Sequence, residues 1–132
     1  ISACLVGSEM CIRDRCDQKI AHCLTELGDA EGALISAQKS LDVFVTAHDH
    51  RRETYSSFEL GKAQIASGQF EEALMTLENV LENVTESEFK DFEFIIDIER
   101  KIAITLRKLE RDIEADEIVR RLDAVVEVID ED

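Results

Sequence analysis

With 132 residues the chain has room for one domain with a buried core, not for a catalytic domain beside a repeat array. It has no proline and only five glycines, so little interrupts a helical hydrogen-bond ladder and an all-helical chain is expected. Thirty acidic against fifteen basic residues give a net charge of −15, which repels phosphate backbones and anionic lipid and speaks against non-specific nucleic-acid binding.

Residues 1–15, ISACLVGSEMCIRDR, resemble the peptide obtained when a sequencing adapter is translated at the edge of an assembled read. They are set aside as a non-native segment, and the functional argument starts at Cys16. Cys4, Cys11, Cys16 and Cys23 all fall in the first quarter of the chain, a distribution that does not suit a disulfide framework. No apolar stretch approaches the ~20 residues that span a bilayer, and the opening residues lack the basic region of a secretory signal. A cytoplasmic setting without membrane contact is the expectation.

The first predicted helix runs from Cys16 to Leu27, with Cys16, Ile20, Cys23, Leu24 and Leu27 spaced three and four apart along one face. On that face both thiols are expected to behave as small buried hydrophobes. Gly28 ends the helix and Asp29 caps the next, which spans about Ala30 to Thr46 with Ala33, Leu34, Ala37, Leu41 and Phe44 inward. Residues 47–50 carry no periodicity and are expected to be a linker, with Asp49 capping a helix from about Arg51. That helix uses Tyr55, Phe58, Leu60, Gly61, Ile65 and Ala66 and stops at Ser67-Gly68. The next uses Phe70, Ala73, Leu74, Leu77, Val80 and Leu81. After a break near Val84, Ser87 or Thr85 is the expected cap of a longer helix from about Glu88 to Leu109, containing Phe92, Ile95, Ile96, Ile102, Ala103 and Leu106. The last helix, from about Asp112, carries Ile113, Ala115, Ile118, Val119, Leu122, Val125, Val126 and Ile129.

Two strings forty residues apart organise this pattern: Leu27-Gly28-Asp29-Ala30-Glu31-Gly32-Ala33-Leu34 and Ser67-Gly68-Gln69-Phe70-Glu71-Glu72-Ala73-Leu74. A degraded third copy starts at Leu109-Glu110-Arg111, keeps Ala115 and has Glu110 where the others have glycine. Close approach of two helices needs nearly absent side chains, so Ala33, Ala73 and Ala115 are expected to pack on the preceding helices at Ala21, Gly61 and Ala103. The predicted architecture is an α-solenoid of three antiparallel helical hairpins, at about 16–47, 51–84 and 88–130.

Leu60-Gly61 with Ala63, followed by Gly68, Phe70 and Ala73-Leu74, resembles the tetratricopeptide repeat. The resemblance is closest in the second hairpin, covers the first through Leu24, Gly28, Asp29, Ala33, Leu34, Ser40 and Leu41, and is faint in the third. It departs from the family in lacking repeat-ending prolines and tryptophan and in its period of 40 to 42. It implies a non-enzymatic scaffold that binds a protein or peptide on a concave surface lined by the first helix of each hairpin. Carried over residue by residue, that surface comprises Gln18, His22 and Glu26; Tyr55, Phe58, Lys62 and Ile65; and Arg100, Ile104, Arg107 and Lys108. The set is locally basic, and the implied ligand is a segment with acidic and apolar side chains. Glu59 and Asp97 stand where some family members clamp a peptide's terminal carboxylate, which disfavours ligands of that kind. The alternative is the regulatory arm of a larger bacterial signalling protein or transcription regulator, and self-association is a third possibility.

Other chemistry is poorly supported. His48-Asp49-His50 offers too few ligands for a metal site, since His22 is the only other histidine. No phosphate-cradling loop, activated nucleophile or spaced carboxylate pair occurs, so no enzyme activity and no cofactor are expected.

Overall fold

The computed structural model describes residues 19–88 and 91–131, with side chains described as far as Val125. Six helices occur among these residues and no strand. They fall into two units, divided between Gly68 and Gln69. The first contains α1 (19–26), α2 (Ala30–Thr46) and α3 (His50–Ala66). The second contains α4 (Phe70–Glu86), α5 (Phe92–Lys108) and α6 (Asp112–Glu131).

The forty-residue period has a simple origin. Helices α2, α3, α4 and α5 are each 17 residues long, and the turns 27–29, 47–49 and 67–69 each take three. Two helices and two such turns make one forty-residue unit. The α4–α5 connection, 87–91, takes five residues instead, which stretches the next interval to 42.

The turns share one backbone. In each the middle residue is left-handed: Gly28 at φ 86°, His48 at 55°, Gly68 at 84° and, in the turn 109–111, Glu110 at 63°. The N–H of that residue donates to the carbonyl three positions back, at 3.1–3.2 Å. The following N–H reaches five back in three of them: Asp29 to Leu24 (2.8 Å), Asp49 to Phe44 (3.0 Å) and Arg111 to Leu106 (2.8 Å). These bonds satisfy the last carbonyls of the preceding helix. Of residues 47–50, expected to be a linker, 47–49 form the same turn with His48 in the glycine place, and His50 already begins α3. Glu110, in the glycine place of the third copy, takes this turn as well. Left-handed backbone costs a non-glycine residue roughly 1–2 kcal/mol, which the flanking helices can impose.

Caps complete the helix starts. Asp29, Asp49 and Asp91 each accept a backbone N–H through Oδ1, from Gly32 (3.0 Å), Arg52 (3.2 Å) and Phe94 (3.1 Å). Gly32 lies under its cap, where a Cβ would come 2.6 Å from Asp29 Oδ2. Asp91, not Ser87 or Thr85, caps α5, so that helix begins at Phe92 and not near Glu88. An aspartate in the Ncap position outcompetes the apolar periodicity in fixing the first turn.

The core repeats with the same period. Ala33, Ala37, Ser40 and Phe44 are buried on α2, and Ala73, Leu77, Val80 and Val84, each forty residues on, are buried on α4. Ala21, Gly61 and Ala103 are buried, as are Ala33, Ala73 and Ala115, in keeping with small residues at the helix crossings. In the first unit α2 packs along α3; in the second, α5 packs on both α4 and α6. Arg52 of α3 reaches back over Phe44 of α2, 5.9 Å from the ring centroid, while Asp49 holds it at 3.4 Å. Arg121 of α6 is bonded to Glu99 of α5 at 3.0 Å. In the turn before α6, Arg111 donates to both carboxylate oxygens of Glu114, and this bond, with charge attraction from Glu114 and Glu78, holds its guanidinium above its ordinary value against desolvation.

Several expected inward positions point outward. Cys23 is exposed and free, not a buried hydrophobe. Ile20 and Val125 are also exposed, and Leu27, Phe92 and Ile113 are 82%, 66% and 78% accessible. Leu27 lies in a turn and Phe92 and Ile113 in first turns of helices, so the three-and-four spacing runs on in the sequence beyond the part of each element that is buried.

Candidate functional site

Of the residues assigned to a concave surface, Gln18 lies outside the described residues. The structure brings His22, Phe58 and Lys62 together in the first unit, with Tyr55 half-buried one turn before Phe58 and Glu59. His22 of α1 and Lys62 of α3 are forty residues apart, so equivalent positions of successive repeats meet. The Lys62 ammonium donates to His22 Nδ1 at 2.9 Å and to Glu59 Oε1 at 2.9 Å, and it lies 5.0 Å from the Phe58 ring centroid. The side chains of Lys62 and Glu59 are only 12% and 13% accessible, whereas His22 is 46%. Taking an ion pair this far out of water is costly, and the ring face and the imidazole lone pair help offset the cost to the ammonium. Glu59 Oε2 gains nothing comparable: it is buried without a hydrogen-bond donor, with His22 Nδ1 3.7 Å away.

The second unit contributes one face of α5. Ile98, Ile102, Ala103, Thr105 and Leu106 are buried on one side of this helix. Arg100, Ile104, Arg107 and Lys108 are exposed on the other, with Ile104 42% accessible between the two arginines. Arg107 bonds Asp116 of α6 at 2.9 Å, and Arg100 lies 4.0 Å from Asp97. Lys108 has no ion pair among the described residues.

The locally basic character read from the sequence is therefore expressed as ion pairs. Lys62, Arg100 and Arg107 each stand beside a carboxylate, so an incoming acidic group would exchange partners and not meet a bare charge. The Glu59–Lys62 and Asp97–Arg100 pairs are legible as helix neighbours three apart. Asp116 opposite Arg107 is not, because that pair forms across a turn. His50 lies 3.3 Å from Glu53 and His48 occupies a turn. No group of three or more His, Cys, Asp or Glu side chains suited to a metal ion occurs among the described residues, nor does any helix there have the length and apolarity to cross a membrane.

No protein-family model matches the chain, and no curated protein does. Its structure is similar to the crystal structure of a Podosopora anserina protein assigned as a kinesin light chain with nearly identical TPR-like repeats. The likeness covers 91% of this chain at 18% identity and a TM-score of 0.73, and the chain spans 57% of that protein's length. The fold is thus the all-helical tetratricopeptide-like repeat.

Proposed function

We propose that the chain is a non-catalytic protein-interaction scaffold whose exposed helix faces, α1 and α3 in the first unit and α5 in the second, each hold a partner segment. The observation that carries this reading is the α5 face. An aliphatic side chain, Ile104, lies exposed between Arg100 and Arg107 on a helix whose opposite side supplies the core. A segment with apolar and acidic side chains suits such a face: the apolar group covers Ile104 and the carboxylates take over guanidinium donors now shared with Asp97 and Asp116. In the first unit His22, Tyr55 and Lys62 form the corresponding set, in which Tyr55 supplies aromatic surface and Lys62 a partly shielded cation over the buried Phe58 ring. Lys108 extends the α5 set. The tetratricopeptide-like fold supports protein partners in general, and the setting proposed is cytoplasmic, without nucleic acid, membrane, metal or cofactor.

The test begins with recovery of a partner by crosslinking from the source cells, followed by titration with Tyr55→Ala, Ile104→Glu and Arg107→Glu. Loss of about tenfold in affinity for the α5 variants, with unchanged helical content, supports the reading. Undiminished binding by all three rejects it. An effector domain on the same polypeptide would make the module its regulatory arm, and an intact gene sequence decides between these roles.

A further inference from the structure

We infer that His22, Glu59 and Lys62 form a proton-operated latch between α1 and α3, in which His22 exchanges Lys62 for Glu59 when it is protonated. Three observations carry it. Lys62 donates to His22 Nδ1 at 2.9 Å, so that nitrogen is an acceptor and the ring proton sits on Nε2. Glu59 Oε2, buried and without a donor, lies 3.7 Å from the same nitrogen. Lys62 is already satisfied by the other carboxylate oxygen, Oε1, at 2.9 Å.

A proton added at Nδ1 removes the lone pair that Lys62 uses and creates a donor facing the orphaned oxygen. Closing 3.7 Å to the ~2.8 Å of a charge-assisted bond takes a small ring movement, and the flexible lysine stem lets its ammonium withdraw onto Oε1. The Glu59 carboxylate then bridges two cations, one on each oxygen. The groups around His22 permit this. On α1, Lys19 and Glu26 flank it with opposite charges, one turn to either side, next to the exposed Cys23 thiol. On α3, Glu59 and Lys62 face it and the half-buried Tyr55 lies one turn before them, while His50, Arg51, Arg52 and Glu53 lie in the first turn of that helix. The buried side of α2, made of Ala33, Ala37, Ser40 and Phe44, contains no ionisable group.

The exchange replaces the Lys62–His22 bond by an imidazolium–carboxylate bond that also pairs the orphaned oxygen, so α1 is tied more firmly to α3 where the imidazole is protonated than where it is neutral. Native-state hydrogen exchange of the α1 amides in the 132-residue chain, corrected for intrinsic rates, reads this directly. Between pH 8 and pH 5 protection of α1 relative to α2 is expected to rise about three- to tenfold, the range of a partly exposed charge-assisted bond. The rise should vanish in Glu59→Gln and in His22→Gln. Imidazole nitrogen shifts provide a second readout, with the Nδ1-protonated neutral form gaining population in Lys62→Met at pH 8. A flat wild-type profile, an undiminished rise in Glu59→Gln, or tautomer populations indifferent to Lys62→Met would overturn the latch.

Discussion

The hydroxyls of Ser40 on α2 and Ser56 on α3 share a hydrogen bond at 2.9 Å, and both side chains are fully buried. The equivalent positions in the second unit, forty and forty-two residues on, are Val80 and Ile98, buried to the same degree. One repeat thus seals its helix pair with a polar contact where the other uses aliphatic packing. Removing one hydroxyl takes a buried hydrogen-bond partner from the other. Ser40→Ala or Ser56→Ala should cost about 1–3 kcal/mol. Making both replacements together, Ser40→Ala with Ser56→Ala, should cost less than the sum of the singles. Urea denaturation of the four proteins as a double-mutant cycle measures the difference, and additivity would contradict the account.

The turns permit a separate test. A Cβ on Gly28 would meet nothing within 4 Å, so Gly28→Ala isolates the backbone cost of left-handed φ, and a loss of roughly 1 kcal/mol is expected. Glu110 already bears that cost at φ 63°. Glu110→Gly should therefore be neutral or stabilising by up to about 1 kcal/mol, since part of the gain is offset by greater freedom in the unfolded chain. Thermal unfolding in which Glu110→Gly proves as harmful as Gly28→Ala would show that the glutamate side chain has a role of its own.

Close approach at the helix crossings makes enlargement costly. Ala33 and Ala115 are completely buried, and Leu at either position must displace packed neighbours. A loss of about 1–3 kcal/mol is expected from each, against little change for Ala124→Leu, which is exposed on α6. Calorimetric midpoints would rank them, and equal tolerance at Ala115 and Ala124 would remove the case for tight packing of α6.

Asp91 sets where α5 begins. Asp91→Ala removes the acceptor of the Phe94 N–H and should cost about 1 kcal/mol, while Ser87→Ala should have a smaller effect. The reverse order would restore the earlier helix start that the sequence suggested.

That the chain is helical and repetitive follows from its residues in order, because proline is absent, small residues recur at fixed intervals and apolar spacing is a local property of the chain. The same order also exposed Asp29 and Asp49 as caps and Gly28 and Gly68 as turn residues, since both roles depend on a few adjacent atoms. Only the tertiary structure decided that His48 and Glu110 take the same turn as the glycines: left-handed backbone in those residues is a cost that only packed flanking helices can enforce. Tertiary structure also decided which apolar residues stay outside. Cys23, Leu27, Phe92 and Ile113 fit the helical stripe, but whether a stripe is covered depends on where the neighbouring helix ends. For the same reason the Arg107–Asp116 ion pair and the Lys62–His22 hydrogen bond could not be found by spacing, because both join residues that meet only once separate helices have packed.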